Sequence, residues 1–155
     1  MIAEDPSASP RSTKDALPMA LLRAREAVMA RFRPMLDAHD INEQQWRVVR
    51  VLAEHDSLDA TELAAKANIL APSLTRMIRA LTSRGLIARG RDDSDGRRAI
   101  LRITPSGRAL IAAVTPEARA IYAAIDRDFG SERTAALLAL LEALSDLPAE
   151  NGKGA

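Results

Sequence analysis

Residues 59–104 spell helix, tight turn, helix and arginine-rich hairpin, and few folds accept that order. Asp59 is a suitable N-cap for a first helix, Ala60-Thr61-Glu62-Leu63-Ala64-Ala65-Lys66-Ala67. Only Asn68, Ile69 and Leu70 separate it from a second, which opens at Ala71-Pro72-Ser73 and runs through Arg76 and Arg79 towards Gly85. A short turn before a helix that starts with small polar residues is the arrangement that lays one helix in the major groove of DNA. Two strand-like runs follow, Leu86–Arg89 and Ala99–Ile103, around the turn-rich loop Gly90–Arg98. The block predicts a winged helix-turn-helix with a two-stranded wing.

Local charge supports DNA as the partner. The whole chain carries a formal net charge of only +1. Between Ile69 and Arg102, eight arginines face three aspartates, a net of +5, which leaves −4 for the remainder. A basic segment on a mildly acidic body is the footprint of a phosphate-binding surface. A solvated face with ordinary arginines would give the same count, but the charges coincide with the motif.

Composition excludes much else. There is no cysteine, so disulfides, thiolate metal sites and thiol redox sensing are ruled out. The two histidines, His39 and His55, lie far apart, and a zinc site is not expected. Asp93, Asp95 and Gly96 fit a calcium loop in part, yet two arginines follow and no glutamate closes it. No nucleophile motif or phosphate-cradling glycine loop suggests an enzyme, and no cofactor is expected. No apolar run reaches the ~20 residues of a membrane helix. Residues 1–16 and 148–155 are expected to be disordered tails, with no export signal, and the protein to be cytoplasmic.

The flanking segments predict long helices. Leu21, Ala24, Val28, Phe32 and Met35 recur at helical spacing, with Pro34 as a possible bend. Asn42 is a good cap for a helix carrying Trp46, Val49, Leu52 and Ala53. Thr104-Pro105 is a strong helix start, before a stripe of Val114, Ala118, Ile121, Ile125 and Phe129. Gly130 is expected to end that helix and Ser131 to cap another, bearing Leu137, Leu138, Leu141 and Leu144. A winged-helix core over 41–104 is too small to cover these stripes. Residues 17–40 and 105–147 are therefore expected to dimerise with a second copy, and two-fold symmetry would match a palindromic operator. The fold class is mainly α.

Several segments resemble the MarR family of bacterial regulators over about Leu17 to Leu147. They are Pro72-Ser73-Leu74-Thr75-Arg76, and Asp95-Gly96-Arg97-Arg98 followed by Leu101-Arg102-Ile103-Thr104. Ala24-Arg25-Glu26-Ala27, Phe32-Arg33-Pro34 and Glu43-Gln44-Gln45-Trp46-Arg47 look like the branch that controls homoprotocatechuate (4-hydroxyphenylacetate) degradation. The resemblance implies a dimeric repressor released from a double-stranded operator by a small phenolic acid: homoprotocatechuate, 4-hydroxyphenylacetate or a hydroxybenzoate. A DNA-binding regulator or activator without an effector is the alternative.

The resemblance also implies roles. Ser73, Thr75 and Arg76 are expected at base edges, Arg79 at base or phosphate, and Thr61 at phosphate. In the wing Arg97 and Arg98 are both expected at DNA, and Arg97 is the arginine expected in a narrow minor groove. Asp95 either orients one of them by an ion pair or serves only the Asp-Gly turn. Where many relatives carry a polar or basic residue before the proline, this chain has Ala71, a departure that leaves a contact there open. For the effector, Trp46 and Arg50 share a helix face, and Arg23, Met29 and His39 come from the first helix or its end. Trp46 reads equally well as a core residue, and the arginines as a solvated face.

Overall fold

The computed structural model describes residues 12–148. The outer parts of both expected tails, 1–11 and 149–155, lie outside the described residues. Among the described residues six helices and two strands follow in the order α1 (Leu17–Ala38), α2 (Glu43–Ala53), α3 (Ala60–Ala67), α4 (Ala71–Ser83), β1 (Ile87–Arg91), β2 (Ala99–Ile103), α5 (Pro105–Phe129) and α6 (Ser131–Ser145). This is the mainly α, winged-helix class that the sequence predicts. The chain divides within α5 into two compact units, one ending at Val114 and the other beginning at Thr115.

In the first unit the helix starts are chemically explicit. Asn42 accepts the Gln45 N–H at 2.8 Å, and the Gln45 side chain accepts the Asn42 N–H at 3.2 Å. Asp59 and Glu62 repeat the arrangement at 2.8 and 2.9 Å for α3. Each reciprocal pair satisfies two N–H groups that the helix would leave open. The α3–α4 turn is made possible by Asn68, which takes the left-handed conformation at φ 52°. Gly85 closes α4 at φ 70°. Thr104 caps α5 by accepting the Gly107 N–H at 3.1 Å, and its hydroxyl donates to the Gly85 carbonyl at 2.5 Å.

The core of this unit is the shared apolar face of α2, α3, α4 and the hairpin. Val48, Val49, Leu52, Leu63, Leu74, Ile78, Leu81, Ile87, Ile100 and Leu101 are all buried. Among the described residues no polar or charged side chain is buried. The strands pair antiparallel with Ile87 opposite Ile103 and Arg91 opposite Ala99. β1 thus runs two residues beyond its expected end, through Gly90 and Arg91. Leu58 adds a bridge on the other edge, exchanging hydrogen bonds with Leu101 at 2.8 and 3.1 Å. At Gly107 a Cβ would lie 2.2 Å from the Leu86 carbonyl oxygen, so the first turn of α5 seats directly on the backbone that enters β1.

The long helices are buried only in part. In α1, Phe32, Met35 and Leu36 are buried, whereas Leu17, Leu21, Leu22 and Val28 are exposed. The helix continues past Pro34 to Ala38. The tail expected through residue 16 ends in a turn, with the Asp15 N–H donating to the Ser12 carbonyl at 2.9 Å. In the second unit, α6 buries none of its residues, and Leu138 and Leu140 are 62% and 69% exposed. The cap position of α6 is Gly130, at φ 105°, with Ser131 the first helical residue and making no side-chain cap.

Candidate nucleic-acid and effector sites

Helix α4 has two faces, as its 3.6-residue period requires. Leu74, Ile78 and Leu81 enter the core. Thr75, Arg76 and Arg79 are exposed, and Ser73 is half-buried. Arg76 and Arg79 have no ion-pair partner among the described residues. The Thr75 hydroxyl donates to the Ala71 carbonyl at 3.1 Å, so its lone pairs are what it can offer to a base. Thr61 is exposed in the first turn of α3.

The turn before α4 is held from α2. Arg47 donates to the Ala67 carbonyl at 3.1 Å and to the Asn68 carbonyl at 3.2 Å, supplying partners for the end of α3. Partial burial, and then the nearby Arg25 charge, lower its pKa from the ordinary arginine value. No sequence signal singled out this residue, because its partners lie 20 and 21 positions away.

The wing presents one arginine and secures the next. Asp95 accepts the Arg97 N–H at 3.1 Å through its side chain and the Arg98 N–H at 3.0 Å through its carbonyl. Arg91 donates to the Arg97 carbonyl at 3.2 Å. Asp95 forms no ion pair with either arginine among the described residues, so the geometry is that of the plain turn residue. The Arg97 backbone is fixed on both sides, while its guanidinium is exposed and unpaired among the described residues.

Arg98, grouped by the sequence with the DNA contacts, remains exposed but is turned towards the start of α3. Its guanidinium lies 2.7 Å from Asp59, 2.9 Å from Glu62 and 3.6 Å from Asp92. Asp59 is held below the usual carboxylate range, first by the Glu62 backbone N–H and then by Arg98. Asp92 is lowered as well, chiefly by the Ser94 N–H and hydroxyl. The hydrogen bonds to Asp59 and Glu62 raise the Arg98 pKa.

Of the five expected effector residues, two meet. The Arg50 guanidinium lies over the Trp46 ring, 5.9 Å from its centroid, and reaches Glu54 at 3.5 Å. Trp46 is half-exposed, so it does not belong to the buried core of α2. Arg23 donates to the Lys14 carbonyl at 2.6 Å. Met29 is half-buried on α1, and His39 is the residue that ends α1. An open cleft of about 400 Å³ is lined by Asp37, Asp40, Ile41, Asn42, Gln45 and Arg84, and none of the five lines it. Helices α1 and α2 are tied by Arg25 and Arg33, which both pair with Glu43, while Arg33 also holds Glu26 at 2.8 Å.

Comparison with known proteins agrees with this geometry. The MarR family model matches residues 41–99. The homoprotocatechuate degradative operon repressor of Escherichia coli is 38% identical over 145 residues, spanning 88% of this chain and 98% of that protein. The crystal structure of NadR in complex with 4-hydroxyphenylacetate is 37% identical, with a TM-score of 0.77, over 91% of this chain and 100% of that one. The repressor CouR, bound to a 23-mer DNA duplex, is 29% identical at a TM-score of 0.77, over 88% of this chain and 99% of its own.

Proposed function

The chain belongs to the MarR family, and on that footing we propose that it is a homodimeric repressor of an aromatic-acid degradation operon, released from its operator by a phenolic acid. As a member of that family it is a DNA-binding regulator and not an enzyme. No helix among the described residues is long and apolar enough to cross a membrane. We place it in the cytoplasm, with the DNA.

The observation that carries the DNA reading is the free cationic face of α4 beside a wing that presents Arg97. Ser73, Thr75 and Arg76 are our base-contacting residues, with Arg79 on base or phosphate and Thr61 on phosphate. Residues 41–104 form the reading head in this account, and 17–40 with 105–147 form the dimerisation region. The exposed leucines of α6 and α1 support a second copy as their cover.

For the effector, Trp46 and Arg50 supply what an aromatic acid needs, an apolar ring face and a cation for the carboxylate. A relative repressing homoprotocatechuate degradation and another crystallised with 4-hydroxyphenylacetate support the ligand class. We rank homoprotocatechuate and 4-hydroxyphenylacetate first, and hydroxybenzoates such as gentisate or salicylate second. Release does not require tight binding. A hundredfold preference for the DNA-free conformation shifts the equilibrium by about 2.7 kcal/mol per site.

Trp46 is the only tryptophan, so its fluorescence reports on this pair directly. Titration with hydroxylated phenylacetates and benzoates should give a saturable change, largest for the phenylacetates. Arg50→Ala should weaken it at least tenfold. Fluorescence that stays flat to millimolar concentrations of every compound would reject the phenolic sensor and leave a DNA-binding regulator without this effector.

A further inference from the structure

We propose that Arg98 does not contact DNA but is a positioning residue, latching the wing to the N-terminus of α3 so that Arg97 is held at a fixed place relative to α4. The inference rests on the reading of Arg97 as a DNA contact.

The latch is built on an acceptor that is already rigid. Asp59 is fixed as the cap of α3, and Glu62 is fixed by closing that capping box. Asp92 is held from the wing side, accepting the Ser94 N–H at 3.0 Å and the Ser94 hydroxyl at 2.8 Å. The Arg98 fork joins these groups across 39 residues of sequence, its Nε and Nη2 reaching the same Asp59 oxygen at 3.1 and 2.7 Å. A guanidinium suits this task because its planar array of donors spans several carboxylates at once.

Local charge and chain connectivity separate this role from phosphate binding. First, one cation faces three carboxylates, so the cluster carries a local charge of −2. A phosphate brought to Arg98 would be brought to that excess of negative charge. Second, Arg98 is covalently next to Arg97 and shares its turn. The Asp92 N–H donates to the Arg98 carbonyl at 3.0 Å, and Asp95 receives the N–H groups of both residues. Anchoring the Arg98 side chain to α3 therefore fixes where the exposed Arg97 begins. A wing pinned in this way loses less conformational freedom on binding DNA.

The test is a double-mutant cycle on an operator selected from random DNA with this protein, with affinities measured across salt concentrations. Arg98→Ala is expected to weaken operator binding about tenfold with an unchanged slope of log affinity against log salt. In an Arg97→Ala background the same change should cost less than twofold, because there is no contact left to position. Arg98→Lys should also weaken binding, as an ammonium cannot span the same carboxylates. Asp59→Asn keeps a good helix cap but removes the charge, so α3 should persist by circular dichroism while operator affinity falls. Simple electrostatics predicts the opposite, since deleting an acid near DNA strengthens binding. A slope reduced by about one in Arg98→Ala would mark a direct phosphate contact and overturn the latch. Additive losses with Arg97→Ala, parental affinity in Arg98→Ala, or tighter operator binding in Asp59→Asn would each overturn it too. Parental affinity in Arg97→Ala alone would reject the Arg97 reading, and the latch with it.

Discussion

Arg97→Ala will lower operator affinity by about tenfold or more while leaving the fold and the dimer intact. The side chain is exposed, makes no ion pair among the described residues, and extends from a turn secured by Asp95 and Arg91. Its removal therefore takes away a contact without creating a cavity or an orphaned partner. Inserted in a narrow minor groove, such an arginine gains from the concentrated negative potential there. Arg76→Ala provides the contrast. If Arg76 reads a guanine, its loss should cost roughly 1–3 kcal/mol and relax base preference at one position. Fluorescence anisotropy on the selected operator and on its single-base variants checks both. Affinities equal to the parent's at every salt concentration would contradict the docking of wing and α4.

Deleting residues 131–155 will leave an aggregating or unfolded product in place of the dimer. Helix α6 buries nothing within the described chain, yet it carries Leu137, Leu138, Leu141 and Leu144. A leucine moved fully out of water gains roughly 1.5–3 kcal/mol, so a helix this apolar is unreasonable as a permanently solvated surface. In a two-fold dimer the same face serves both copies. Its loss would strand the facing apolar surface of the partner. Light scattering after size exclusion distinguishes the outcomes. A stable, soluble monomer would contradict the dimer account.

Much of the reading head was legible because its signals are local. Asn42 and Asp59 announce helix starts through their own side chains, and Pro72 sits in the first turn of α4, where a missing N–H costs nothing. The period of Leu74, Ile78 and Leu81 gives α4 its buried face directly. What was not legible depends on residues distant in sequence. Arg97 and Arg98 are chemically identical neighbours, and only Asp59 and Glu62, more than 30 positions earlier, set them apart by pairing with Arg98. Gly90 and Arg91 look like loop, yet pairing with Ile100 and Ala99 draws them into β1. Arg47 stands in a segment that resembles its relatives, but its task was not legible, because the carbonyls it serves exist only once α3 has ended at a left-handed Asn68. The proposed effector residues were the least legible. Trp46 and Arg50 meet because four residues make one helical turn, whereas Arg23 is engaged by the Lys14 backbone, which no periodicity reveals.

The central claim is that DNA binding and phenolic-acid binding exclude one another. The most direct measurement is the anisotropy of a labelled selected operator bound by the full chain, titrated with 4-hydroxyphenylacetate and with homoprotocatechuate. The account predicts a saturable fall to the value of free DNA with at least one of them, blunted in Arg50→Ala, whose operator affinity without ligand stays at the parent's level. Operator that remains fully bound at millimolar concentrations of both acids, and of gentisate and salicylate, would contradict it.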